Sequence, residues 1–199
     1  MKYILFLSFL ILSLGTGFAA ADHEQGQADS YLDMAKKYSA QHEYQQAIKW
    51  YKEAIKLNPD DVRGYADLGM VYLRMKNSPE AIKYYQEAIR INPKDSRNYE
   101  GLGNGYLFMR NHPEAIRWLK EAVKISPDDS RTYAALGWAY LHIENDEEAI
   151  KWFKEAVRVG PDDGEGYEGL GRAYWDTGNY PEAMKWFKKM IKMIPYDTR

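Results

Sequence analysis

The residues of this 199-residue chain whose types could do chemistry fall into three groups. The first is glycine-rich: Gly101-Leu102-Gly103-Asn104-Gly105 and Gly166-x2-Gly169-x-Gly171 resemble loops that cradle phosphate on backbone amides. Such loops need a strand before them and an open helix N-terminus after them. Here the surrounding apolar period is helical, so both runs belong inside a helix. The second group is His23, His42, His112 and His142, none of which has another His or a carboxylate at ligand spacing on a shared helical face. The third is the acid pairs Asp60-Asp61, Asp128-Asp129 and Asp162-Asp163, suited by type to a divalent cation. Each pair precedes a helix, where a carboxylate caps free amides and complements the helix dipole, and capping is the preferred reading. With no cysteine there is no thiolate nucleophile, thiolate metal site or disulfide. No other nucleophile has a base at fixed spacing. The expectation is a protein that is not an enzyme and holds no metal or cofactor.

The elements that would position these residues repeat. Pro59, Pro93, Pro127, Pro161 and Pro195 are 34 residues apart, and Pro79, Pro113 and Pro181 fall on the same period. All eight prolines thus occupy two positions of one unit, a mark of tandem repetition. Five units fit without insertion: 28–61, 62–95, 96–129, 130–163 and 164–197.

Within each unit the apolar pattern predicts two helices. The first carries Tyr at unit positions 4 and 11 (Tyr65 and Tyr72 in the second unit), Leu at position 7 (Leu68, Leu102, Leu136, Leu170) and a small residue at position 8 (Ala35, Gly69, Gly103, Gly137, Gly171). A helical glycine costs about 1 kcal/mol relative to alanine, so its recurrence points to close helix contact. The second helix is predicted to begin at Pro79, Pro113 or Pro181, with Ser78 or Asp146 as N-cap, and to stop at the proline of position 32. Its buried stripe runs through Ala81, Tyr85 and Ala88 and their equivalents. One such pair has too little interior to stand alone, so neighbouring pairs must stack.

Tyr-x2-Leu-Gly-x2-Tyr followed by Ala, aromatic, Ala and Pro at a period of 34 resembles the tetratricopeptide repeat over residues 28–197. Tyr stands where that family usually has Trp at position 4, and Met190 replaces an Ala in the last unit. The resemblance implies an all-α, right-handed solenoid of five helix-turn-helix repeats whose first helices line a concave groove for an extended or helical peptide.

The groove stripe is positions 2, 5, 9, 12 and 13. It predicts a basic rim of Arg63, Arg97 and Arg131, with pairing to Asp61, Asp95 and Asp129 as the alternative. The predicted floor is Met70, Leu73, Leu107, Phe108, Trp138, Leu141 and Trp175, with Asn104, Glu100, Glu168, Arg74, Arg172 and His142 as polar contacts. Trp and Arg dominate binding hot spots, which favours Trp138 and Trp175. Gly101, Ala135 and Gly169 would let a ligand backbone approach closely. The family's grip on a C-terminal carboxylate needs cations at positions 2, 5 and 6. Glu100, Glu168 and Asp67 occupy such places, which disfavours that ligand.

Positions 22, 25 and 29 of the second helices are basic in 14 of 15 cases, a solvated outer face. Position 23 (Trp50, Tyr84, Trp118, Trp152, Trp186) is expected to pack against adjacent second helices. At the last unit Met184, Phe187, Met190, Ile191 and Ile194 would form an apolar end through which copies of the chain associate.

Residues 1–21 have the three-part layout of a secretory signal peptide: Lys2, apolar Tyr3 to Leu14, then small residues ending in Ala19-Ala20-Ala21. Its apolar core is short for a membrane span, so cleavage is expected, with an N-terminal anchor as the alternative. Residues 22–27 read as a linker. Removing Lys2 from 27 basic residues leaves 26 against 29 acidic, a net charge of -3, which does not suit nucleic acid as main partner. The expectation is an exported, periplasmic or secreted adaptor for protein or peptide partners, with a self-assembling scaffold or an accessory subunit of an enzyme complex as alternatives.

Overall fold

The computed structural model describes residues 23–193, and among these there are ten helices and no strand. They are α1 (23–40), α2 (Tyr44–Leu57), α3 (Val62–Arg74), α4 (Ser78–Ile91), α5 (Ser96–Phe108), α6 (His112–Ile125), α7 (Ser130–Leu141), α8 (Asp146–Val159), α9 (Gly164–Asp176) and α10 (Tyr180–Met193). The expected signal peptide, Ile194 and the end of the fifth unit lie outside the described residues. Residues 23–27, expected as a linker, are helical and extend α1 instead. Gln25 ties them down by donating to Asp29 one turn on and accepting from the Asn58 amide after α2.

Each helix stops for a local reason. The residue before proline avoids helical backbone, and Asn58, Asn92, Ser126 and Gly160 are accordingly extended, with α2, α4, α6 and α8 ending just before them. The first helices begin on Asp61, Asp129 and Asp163, as the acid pairs predict, and on Asp95, which follows Lys94; each carboxylate accepts from the amide two residues on. The second helices begin one residue earlier than expected. Asn77, Asn111 and Asn145, not Ser78 or Asp146, are the N-caps, accepting from the amides of Glu80, Glu114 and Glu148. Asparagine supplies the same oxygen as serine and leaves Pro79 and Pro113 within the first turn. Between the helices of a pair the chain turns through a left-handed residue, at His42, Lys76, Arg110, Glu144 and Gly178.

Helices pack in sequence order, α3 on α4, α4 on α5 and onward to α10. First helices of successive pairs also approach closely (α3 with α5, α5 with α7, α7 with α9), whereas the backbones of successive second helices stay farther apart. The stack therefore curves with first helices on its inner wall. Leu68, Leu102, Leu136 and Leu170 are fully buried at the centre of each pair, each burial favouring the fold by about 1.5–3 kcal/mol.

The position-8 glycines allow this packing. A Cβ on Gly103 would lie 2.7 Å from Leu119 Cγ, and one on Gly137 would lie 2.5 Å from Phe153 Cδ1. Gly101 and Gly169 do not open the groove to a ligand backbone as expected: the rings of Tyr85 and Phe153 from the preceding unit fill the space over them. The Trp row differs too. Trp50, Trp118, Trp152 and Trp186 lean on Tyr31, Tyr99, Tyr133 and Tyr167 of their own units, at ring-centroid distances of 5.1, 6.1, 6.0 and 6.0 Å. Three of the position-4 tyrosines, Tyr99, Tyr133 and Tyr167, also donate to the carbonyls of Pro93, Pro127 and Pro161. An indole at that position would have no hydroxyl to reach so.

Candidate functional site

The inner wall of α3, α5, α7 and α9 carries three hollows in a row. The first, about 380 Å³, is lined by Lys36, Arg63, Asp67, Met70, Arg97 and Asn98 among others. The central hollow, about 390 Å³, is lined by Leu73, Glu100, Asn104, Leu107, Phe108, Arg131, Ala135, Trp138, Glu165 and Glu168. The third, about 480 Å³, is bounded by Trp138, Leu141, His142, Glu144, Glu168, Arg172, Asp176 and Phe187. Trp138 and Glu168 belong to both of the last two, so the indole stands as a partition between them.

The stripe of positions 2, 9, 12 and 13 thus forms one continuous surface: Arg63, Met70 and Arg97 in the first hollow, Leu73, Asn104, Leu107, Phe108, Arg131 and Trp138 in the second, Leu141 and Arg172 in the third. Two of its apolar members are open to solvent, Phe108 at 66% and Met70 at 43%, while Leu73, Leu107, Trp138 and Leu141 are half-buried. Trp138 packs in a T-shaped arrangement against the buried Phe153 ring at 5.1 Å, which anchors the indole where it borders the groove. Trp175 lines none of the three. It sits exposed at the end of the row, edge to face with Tyr180 at 5.0 Å.

The rim is not a free basic surface. Arg97 Nε and Nη2 donate to Asp95 at 2.9 and 2.7 Å, and Arg131 makes the same fork on Asp129 at 3.1 and 2.8 Å. Arg63 grips Asp61 and also Asp29 of the first unit. The N-cap carboxylate lies two residues before each guanidinium, so cap and rim close on each other. Hydrogen bonds from Arg97 and Arg131 hold the carboxyls of Asp95 and Asp129 below the usual range. For Asp61, burial pushes upward and the bonds from Arg63 overcome it.

What remains unanswered is acidic. Glu100 is half-buried, and desolvation followed by repulsion from Asp129 raises it above the ordinary glutamate value. Glu165 is raised by desolvation, Asp163 and Glu168. Glu165 escaped the sequence reading, although its signal was present: it fills position 2, where the three preceding units hold Arg. Lys36, which approaches Asp67 at 4.0 Å, holds position 9 of the first unit and so was signalled by the stripe as well, whereas Glu144 lies off it.

The outer face pairs its charges locally. Lys56, Arg90, Lys124 and Arg158 bond to Glu53, Glu87, Glu121 and Glu155 one turn earlier, and Arg117 and Lys151 lie over Trp118 and Trp152. At the last unit Met184 and Ile191 are exposed, while Phe187 and Met190 are half-buried. Phe187 is drawn in because its ring covers Gly171. Both glycine-rich runs lie within helices, Gly101 to Gly105 in α5 and Gly166 to Gly171 in α9. Among the described residues no three His, Asp or Glu converge to hold a metal ion, and no helix is long and apolar enough to cross a membrane.

Four stretches match tetratricopeptide-repeat families: residues 35–76, described as TPR repeat, and 62–95, 95–162 and 153–198, each described as tetratricopeptide repeat. No curated protein is similar to the chain in sequence. Among solved structures, residues 41 to the end of MamA from Desulfovibrio magneticus RS-1 are 19% identical with a TM-score of 0.76, covering 87% of this chain and 98% of that one. PilF of Pseudomonas aeruginosa is 18% identical with a TM-score of 0.75, covering 87% and 78%. YrrB, described as a TPR protein with an unusual peptide-binding site, is 20% identical with a TM-score of 0.66, covering 90% and 93%. At these identities the likeness is one of fold.

Proposed function

The chain belongs to the tetratricopeptide-repeat family, and from that premise we propose that it is a non-catalytic adaptor holding a peptide segment of a partner protein along its inner face. One observation carries the reading: three adjoining hollows line the wall with Met70, Phe108 and Trp138 directed into them. A soluble fold has no packing reason to leave Phe108 two-thirds exposed beside an indole, whereas aromatic anchors in a concave setting are what binding sites use. YrrB, with the same fold, is described by its peptide-binding site, which supports the same use of this wall.

The setting we propose is outside the cytoplasm, after removal of residues 1–21, on the three-part layout of the leader. The N-terminal mass of the protein isolated from cells tests this: a chain beginning at Asp22 is expected, and retention of Met1 would contradict it. Cross-linking and pull-down from intact cells tests the adaptor role. Wild type is expected to bring down a discrete partner that the Trp138→Ala variant loses, while equal recovery by both would refute a role for the groove.

A second reading, association of copies through α10, is favoured by the exposure of Met184 and Ile191 on one helix. Sedimentation tests it: a concentration-dependent mass lost in Met184→Lys is expected, and a constant monomer mass would end it.

A further inference from the structure

The three hollows differ in charge balance. In the first, every cation is answered: Lys36 by Asp67, Arg63 by Asp61 and Asp29, Arg97 by Asp95. In the central hollow the one cation, Arg131, is already held by both oxygens of Asp129. Glu100, Glu165 and Glu168 line the same space, and their carboxylates have no ion pair or hydrogen bond among the described residues. In the third hollow Arg172 is committed to Asp176 at 3.0 Å, leaving Glu144 and Glu168 without a partner. The groove thus passes from a paired, nearly balanced end to an acidic one, and the acidic half is the half walled by Phe108 and Trp138.

From this charge pattern, and resting on the adaptor reading, we propose that the occupant is a cationic peptide segment. An arginine or lysine of the partner enters the central hollow against Trp138, with the carboxylates of Glu100, Glu165 and Glu168 around its charge, and apolar neighbours of that residue rest on Leu107 and Phe108. The chemistry is complementary on two counts. An indole face attracts a cation more strongly when water is excluded, and carboxylates that repel one another in a partly desolvated space are relieved when a positive group arrives. The same arrangement repels a peptide's terminal carboxylate or a phosphate. Arginine fits better than lysine, because its planar fork stacks on the indole and still presents donors edgewise to two carboxylates.

The test is selection from a random-peptide display library on the full chain, in parallel with the triple variant Glu100→Gln/Glu165→Gln/Glu168→Gln, with Trp138→Ala, and with an outer-face control, Glu53→Gln/Glu87→Gln/Glu121→Gln. Glutamine keeps the shape, and circular-dichroism melts verify folding of each protein. Wild type and the outer-face control are expected to enrich peptides carrying Arg or Lys beside an apolar residue, and the groove variant is expected to lose that bias. The tightest peptide, resynthesised with its cations changed to Gln, is expected to bind about tenfold more weakly, and about 0.5 M salt to weaken the parent peptide similarly. Neutral or acidic peptides winning on wild type, or the same cationic peptides winning on the groove variant, would overturn the proposal. If those neutral peptides still need Trp138, the adaptor reading stands while this one falls. If nothing is enriched over the Trp138→Ala protein, both fall.

Discussion

Phe153 is the side chain on which core and groove meet, and crowding it tests whether the close contacts of its neighbours are structural. The ring is fully buried against two glycines, Gly137 of its own unit and Gly169 of the next, and a Cβ on either would press on its Cδ1 and Cε1 atoms. Gly169→Ala puts a methyl group into the ring. Alanine gains about 1 kcal/mol of helix propensity, while overpacking in a closed core costs about 1–3 kcal/mol. The ring is fully buried and also packed against Trp138, so the upper part of that range applies and a net loss of about 1–2 kcal/mol is expected. The preceding unit shows the remedy, since Leu119 sits where Phe153 does and Ala135 where Gly169 does. Phe153→Leu alone leaves a hole and costs about 1 kcal/mol or more. Combined with Gly169→Ala it reproduces the Leu–Ala arrangement, so the double variant is expected to be no less stable than Phe153→Leu. Urea unfolding followed at the helical circular-dichroism band gives the four stabilities, and a coupling of at least about 1 kcal/mol closes the cycle. Additive losses would refute the reasoning, because the two side chains would then not share one space.

Three further outcomes follow from the local geometry. Glu144 holds a left-handed backbone at φ 59° that favours glycine, and the next unit has Gly178 there, so Glu144→Gly is expected to raise stability by about 0.5–1 kcal/mol in the same urea assay. Helix α5 carries Gly101, Gly103 and Gly105, about 3 kcal/mol of lost propensity, and its amides are expected to exchange with deuterium faster than those of α7. Equal protection would show that packing fully offsets the glycines. Two acid groups should act oppositely on pH dependence. Asp129 has a carboxyl lowered by Arg131, so its stabilising contribution is present above the ordinary aspartate range and lost as pH falls through the lowered value. Thermal melts of Asp129→Asn should therefore lie below wild type at neutral pH and converge with it in acid. Glu100 is raised by burial, so its charge costs stability at neutral pH. Glu100→Gln should melt above wild type there, and the gap should close as pH drops into the range where Glu100 takes its proton.

Most of the scaffold was legible because the repeat multiplies weak signals. One Gly-x2-Tyr says little, but five aligned prolines and four aligned glycines define helix pairs that must nest. The caps were half legible. Asp before a first helix stands out as a pair of acids, whereas Asn77 and Asn111 are masked by Pro79 and Pro113 and Asn145 by Asp146, although Asn-x2-Glu recurs at each site. The stripe follows from helical spacing and its concave setting from the family resemblance; most of its residues, though not Trp175, border the hollows. Its electrostatics did not follow, because spacing along one helix does not show that a cap carboxylate two residues back folds onto the arginine. The filling of Gly101 and Gly169 by rings of the preceding unit is likewise a contact across 16 residues that no single unit displays.

The central claim is that the inner wall, not the outer one, holds another protein. Photo-cross-linking in living cells addresses it directly, with a benzophenone amino acid placed at Phe108 in the central hollow or at Lys154 on the outer face. A discrete adduct of higher mass from position 108, lost when Trp138→Ala is added, is the predicted result. Adducts from position 154 alone, or adducts from position 108 that persist without the indole, would contradict it.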